Sequence, residues 1–185
     1  MIQIDSREKP KAIAKIEKYF VDNNIDYVSS KLVVGDYMNL DNPKVVVDRK
    51  QNLSELTSNV IQQRFKNELK LAKKCGIHLV ILCEHSPEIT CLEDIPKWTN
   101  PRVTNYKLNL KRNLGLGRTS KLTHWELYHL AKARHKIVAR PPIDSVQLMK
   151  SLYTITNNKE DYDCSIQFCS KKDTGKRILE ILGVE

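Results

Sequence analysis

The apolar positions change period several times along the chain, and each change marks an element. "MIQID" is a short strand. Pro10 opens a helix, where its missing N–H is harmless, and Ile13, Ile16 and Phe20 recur at helical spacing until "NNID" stops it. "YVSSKLVVGDYMNL" reads as two strand segments around a turn at Gly35-Asp36, with a further turn at Asn42-Pro43. "KVVVDRK", residues 44–50, is a strand that runs straight from valines into charge. Leu53, Leu56, Val60, Ile61, Phe65, Leu69 and Ala72 then form one apolar stripe on a long helix. Asn52 and Glu55 resemble a capping box at its start. "CGIHLVILCEH" is a glycine-led switch into a buried strand. Alternation of this kind predicts an α/β fold with a largely covered central sheet.

The pattern loosens from Pro96 to Pro142. "NPRVTNYKLNLKRNLGLGRTSKL" has no clear period and reads as an extended basic loop or ribbon. "THWELYHLAKARHKI" is a helix capped by Thr123 and Glu126, with Leu127, Leu130, Ala131 and Ile137 turned inward and Tyr128, Lys132 and His135 on another side. Asp144 caps a helix holding Leu148, Met149, Leu152 and Ile155. "DCSIQFC" is a strand, and Asp173 caps a last helix, "TGKRILEILG". No repeat or low-complexity tract interrupts this, so residues 1–185 are read as a single domain with a basic insertion at about 97–142.

Composition narrows the function classes. The 185 residues are 41% hydrophobic, enough for a real core. No apolar run approaches the ~20 residues of a membrane span, and the N-terminus lacks a signal-peptide core, so a cytoplasmic protein with no membrane partner is expected. The five cysteines form no C-x-x-C pair, which speaks against a disulfide framework or zinc ribbon. Cys83, inside "HLVILCE", reads as a small core residue. The net charge of +9 is concentrated: Lys97 to Arg140 holds eleven Lys or Arg against one acid, Glu126, while the rest is near neutral. A basic block interleaved with Trp98, Tyr106, Trp125 and Tyr128 points to a polyanion partner; the plain alternative is a solvated insertion.

The candidate chemistry lies at the end of "KVVVDRK". A strand sends alternate side chains to opposite faces, so Val46, Asp48 and Lys50 share one face and Val45, Val47 and Arg49 the other. Asp36 lies at a turn just before. Two nearby carboxylates can hold Mg²⁺ or Mn²⁺ through hard oxygen ligands, and such a metal acidifies a bound water and stabilises charge on a phosphate. A lysine beside them can orient that water or neutralise the transition state. An acid, a gap of about a dozen residues and then D-x-K on a strand is a pattern of restriction-type metal-dependent nucleases. The plain alternative is a strand end whose charges pair with each other.

The surrounding residues resemble the nuclease domain of the XPF family of structure-selective endonucleases, whose signature is G-D, a variable gap, E-R-K, three residues and D. Gly35-Asp36 match G-D. Asp48-Arg49-Lys50 match E-R-K, with Asp for the usual Glu, which keeps the carboxylate and shortens its reach. "IDSRE" resembles the first strand, with Asp5 and Glu8 at its acidic positions, and "QRFKNEL" resembles the helix segment that carries Arg64. Residues 1–85 carry most of the resemblance; the closing "FCSKKDTGKRILEIL" resembles stand-alone phage and bacterial members. Two departures stand out. Ser54 occupies the position of the last family Asp, with Glu55 one step late, so Glu55 is either the cap partner of Asn52 or a displaced site acid. The sequence also ends at Glu185 without the tandem helix-hairpin-helix domain that grips DNA in larger members.

The resemblance implies a restriction-endonuclease-like mixed sheet flanked by helices. It implies Mg²⁺- or Mn²⁺-dependent hydrolysis of DNA, selective for branched or flap structures in recombination or repair. Asp36, Asp48 and Glu8 are the expected metal site, Lys50 the water-positioning or charge-stabilising group, and Arg49 the residue that orders them. Arg64, Lys111, Arg112, Arg118 and Lys121 are the expected phosphate contacts, with "GLGR" as a tip near the backbone. "KKDTGKR" could bind phosphate at a helix N-terminus or be a plain capped helix. A homodimer or partner protein fits the family. The rivals are a non-catalytic DNA-binding module of the same fold and an RNA-directed nuclease.

Overall fold

The computed structural model describes residues 1–85 and 87–184. Six strands form one mixed sheet: β1 (Ile2–Asp5), β2 (Tyr27–Ser30), β3 (Tyr37–Asn39), β4 (Asn42–Lys50), β5 (His78–Glu84) and β6 (Cys164–Cys169). Their spatial order is β2-β1-β3-β4-β5-β6. β4, β5 and β6 run parallel, and β3 is antiparallel to both β1 and β4. Parallel strands covered on both faces need continuous apolar sequence, which "HLVILCE" supplies.

The period of two in β4 builds two cores. Val46 packs on one face under α2 (Leu53–Val60), α3 (Gln63–Lys74) and a helix of residues 145–157, with Leu53, Leu56, Phe65, Leu69 and Leu152. Val47 packs on the other face under α1 (Pro10–Asp22) and the C-terminal helix of residues 174–182, with Ile16, Phe20, Ile178 and Leu182. Cys83 is fully buried in the first core, as expected, and all five cysteines are free thiols.

Several local expectations give way. Leu40 and Asp41 make the hairpin turn, and Asn42-Pro43 begin β4 instead; the β3–β4 register shifts between Met38 and Asn39, an irregularity beside which a proline without an N–H is tolerated. The single long helix is two. The step from Val60 to Phe65 is out of helical phase, and a break at Ile61–Gln62 absorbs it, leaving Ile61 63% exposed. The supposed ribbon is a helix, α4 (Pro101–Asn113), started by Pro101 and capped by the Asn100 side chain. It pairs with α5 (His124–Ala133), whose Thr123–Glu126 capping box forms as expected. Leu110, Leu114, Leu127 and Ala131 make a small third core between them. "GLGR" is the stop of α4: Gly115 takes φ +67°, and Gly115 and Leu116 donate back to the Arg112 and Lys111 carbonyls. α5 ends before His135, so His135 leaves the face of Tyr128 and Lys132, and Ile137 is fully exposed.

The last two helices are α6 (Ser145–Asn157), capped by Asp144 with Gln147, and α7 (Thr174–Leu182). Asp173 precedes α7 without capping it; its carboxylate accepts from the Ser170 hydroxyl. Among the described residues no helix is long and apolar enough to cross a membrane.

Candidate active site

Asp36 is fixed by backbone first. Gly35 adopts φ +66°, and a Cβ there would come within 2.4 Å of a Val46 methyl carbon. Only glycine allows the chain to lie this close to β4. The Asp36 N–H donates to the Val47 carbonyl at 2.8 Å, its carbonyl accepts from the Asp5 N–H at 2.8 Å, and its Oδ2 accepts from the Arg49 N–H at 2.7 Å. The carboxylate is thereby held against the end of β4.

β4 delivers the remaining groups by alternation. On the α2/α3 side, Lys50 Nζ donates to Asp48 Oδ1 at 2.6 Å and lies 5.7 Å from the Phe65 ring centroid. Both side chains are buried, and among the described residues Asp48 Oδ2 has no hydrogen-bond partner. On the α1/α7 side, Arg49 Nε donates to Glu84 Oε1 at 2.7 Å, its Nη2 donates to the Ala12 carbonyl, and its Nη1 lies 3.4 Å from Glu8 Oε2. Thr174 donates its hydroxyl to the same Glu84 oxygen at 3.0 Å.

One cleft of about 190 Å³ is lined by Glu8, Asp36, Asp48, Arg49, Lys50 and Arg64. All five residues expected to carry the chemistry and one expected phosphate contact therefore meet. Burial holds the Asp36 carboxyl well above its ordinary range, and the neighbouring Asp48 adds to this. Burial also raises Glu8, with Arg49 opposing and Glu55 reinforcing. Burial works to lower Lys50, but Asp48 and Asp36 outweigh it and the ammonium is held above its usual value. Crowded, desolvated carboxylates with one orphaned oxygen are short of positive charge, and that suits a hard divalent cation. Among the described residues no group of three or more His, Cys, Asp or Glu has metal-holding geometry. Asp36 and Asp48 offer hard oxygen donors of the kind Mg²⁺ takes, where one or two carboxylates would be completed by water and substrate oxygens.

Glu55 is the cap partner of Asn52, and its side chain reaches the cleft wall. Its N–H donates to Asn52 Oδ1, its own Oε2 accepts from the Gln51 N–H at 2.8 Å, and it still lines the cleft. Asp5 takes the structural role: it accepts from Arg7 at 2.7 and 2.8 Å and from the Leu32 N–H at 2.9 Å. Its burial pushes upward, but these donors together hold it below its ordinary value.

Glu68 and Glu84 were missed. Glu68 Oε1 accepts from the Gly35 N–H at 3.1 Å and lines the cleft. Its signal was a position four residues after Arg64, hence the same helical face. Glu84 is buried beside Arg49; its signal was a lone acid closing an apolar strand.

The other expected phosphate contacts lie apart. Arg112, Arg118 and Lys121 are exposed on the α4–α5 hairpin. Lys111 is buried, and its ammonium donates to the Arg118 and Ser120 carbonyls at 3.0 and 2.5 Å. It holds the loop together and is not free to grip phosphate. Sequence reasoning also missed a cleft of about 430 Å³ beside the first, sharing Arg49 with it, with Glu84 in its wall and Lys9, Lys11, Lys15 and Lys171 around it. All four lysines are exposed and, among the described residues, carry no ion pair. The signal was "KPKAIAK" at the start of α1, where three lysines meet a helix N-terminus with no acid in its first turn.

A family model described as the ERCC4 domain matches residues 4–181. No curated protein matches the chain. Among solved structures, XPF from Aeropyrum pernix aligns with 99% of this chain at 15% identity and a TM-score of 0.46. The chain spans 65% of that structure's length.

Proposed function

The chain belongs to the ERCC4 domain family of nucleases, and from that premise we propose that it is a divalent-metal-dependent DNA endonuclease selective for branched or flap structures. The observation that carries this reading is the meeting of Asp36, Asp48, Lys50, Arg49 and Glu8 in one cleft, with Asp48 Oδ2 unpartnered among the described residues.

Asp36 and Asp48 would hold Mg²⁺ or Mn²⁺, with Glu8 at the rim. The ion, when bound, supplies an acidified water and stabilises charge on the phosphate. Lys50 is kept as an ammonium by Asp48, so it carries full positive charge to offset charge developing on the scissile phosphate. Arg49 works from beneath: its backbone N–H fixes Asp36 while its guanidinium is locked onto Glu84 and Glu8. Groups on a strand with locked rotamers keep their geometry better than groups on loops. Arg64 at the cleft wall and the exposed lysines of the adjoining cleft would carry the DNA backbone past the site, and Arg112, Arg118 and Lys121 would hold it further out. Contacts of this type position DNA without reading its sequence.

The test is cleavage of end-labelled flap, fork and linear duplex DNA by the wild type and Asp48→Asn, each with Mg²⁺, Mn²⁺ or EDTA. Metal-dependent cutting by the wild type alone supports the reading, and the substrate ranking gives the selectivity. Binding of branched DNA without cutting by either protein favours the non-catalytic module. Equal cutting by both removes Asp48 from the mechanism.

A further inference from the structure

The α4–α5 hairpin has its own core, and two of its largest side chains take no part in it. Leu110, Leu114, Leu127 and Ala131 pack together, with Tyr106, Leu116, Leu122, Leu130 and Val138 against them. Trp125 and Tyr128, on the same helix, belong to none of the three apolar clusters. They are half-buried and gather with His129, which is exposed. The Trp125 and His129 rings are stacked at 29° with centroids 6.2 Å apart, and Tyr128 stands edge-on to both. The Arg140 guanidinium lies 5.8 Å from the Trp125 ring centroid. Beneath them His124 is buried, 3.7 Å from Asp144, and its Nε2 makes no hydrogen bond among the described residues.

Aromatic rings grouped outside a core and interleaved with cations mark a surface that a ligand can cover. The surrounding segment has eleven Lys or Arg and one acid, so the cover must be a polyanion that also offers flat apolar faces. Single-stranded nucleic acid has both; a duplex hides its base faces in the stack. Arg140 already occupies the stacking position over Trp125. When a base replaces it there, its charge is free for the adjoining phosphate.

We propose that Trp125, Tyr128 and His129, with Arg140, form a stacking site for unpaired nucleobases, whose ligand is single-stranded nucleic acid. The site binds without chemistry. Its use in cleavage, to hold the unpaired arm of a branched substrate while the sheet cuts, rests on the nuclease reading above.

Tryptophan fluorescence in EDTA tests the site independently of turnover, because Trp98 and Trp125 are the two tryptophans. Oligothymidylate or oligouridylate is expected to quench the wild type and not Trp125→Phe, and the tighter of the two names the preferred sugar. Affinity for single strands should exceed that for a duplex of equal length. Trp125→Ala or Tyr128→Ala should weaken single-strand binding about tenfold, leave duplex binding within about twofold, and leave the melting temperature unchanged. Absent quenching, equal affinity for single and double strands, or a lowered melting temperature that returns these rings to the core would overturn the proposal.

Discussion

The sheet cleft and the α4–α5 hairpin are both rich in charge and treat it in opposite ways. In the cleft Asp48, Arg49 and Lys50 are buried, and the charged groups are committed to one another: Lys50 to Asp48, Arg49 to Glu84 and Glu8, the Arg49 N–H to Asp36. On the hairpin Arg112, Arg118 and Lys121 are exposed, and the buried cation, Lys111, serves the loop. Chemistry on a phosphate needs desolvated groups whose positions are set before substrate arrives. Holding a polyanion needs cations that are still free to displace its counterions.

Removing charge should therefore be ruinous in the cleft and graded outside it. Asp48→Asn is expected to lower the cleavage rate by at least about a hundredfold, since even outer-sphere partners of a metal site cost about 10–100-fold, while DNA binding in EDTA is retained. Single-turnover kinetics beside a binding titration checks both halves. Arg49→Met should destabilise the fold by about 3–5 kcal/mol in chemical denaturation, because it leaves Glu84 buried without its cation. Adding Glu84→Gln should recover part of that loss, and no recovery would show that the pair is not the source.

Asp36 sharpens the comparison through pH. A carboxyl whose folded-state pKa is raised weakens the fold above that pKa, and the weakening disappears as pH falls to the unfolded value of about 3.8. Asp36→Asn is thus expected to melt higher than the wild type at pH 8, with the gain shrinking toward pH 4. Mg²⁺ should raise the melting temperature of the wild type and not of Asp36→Asn. A variant that melts lower at pH 8 would contradict the crowded-carboxylate account.

Smaller effects belong to the exposed cations and the hairpin. Replacing Lys9, Lys11, Lys15 and Lys171 by Ala should flatten the dependence of log affinity for duplex DNA on log salt. The slope should fall by up to about 0.9 for each phosphate the variant no longer neutralises, with single-turnover cleavage at saturating enzyme little changed. An unchanged slope would remove that cleft from the DNA path. Thr123→Ala removes one half of the α5 capping box and should cost about 1 kcal/mol. Hydrogen exchange should show that weakening in α5 and leave β4 and β5 protected.

The local rules were legible wherever one residue's neighbours in sequence are also its neighbours in space. The alternation Val45 to Lys50 assigned faces correctly: Val46, Asp48 and Lys50 went to one core and Val47 and Arg49 to the other. Gly35, the caps at Asn52, Thr123 and Asp144, and the helix start at Pro10 are likewise properties of a few adjacent residues. α4 was illegible because its apolar stripe is thin and is completed by Leu127 and Ala131 of α5. Composition alone cannot separate the exposed cation Arg112 from the spent cation Lys111. Which carboxylate faces which cation was decided only when β4 settled beside β5, and Glu84, thirty-five residues from Arg49, became its partner. Side-chain direction follows from backbone period, a local quantity; burial, pairing and the raised Asp36 carboxyl depend on what the rest of the chain brings near, and that is a property of the packed sheet.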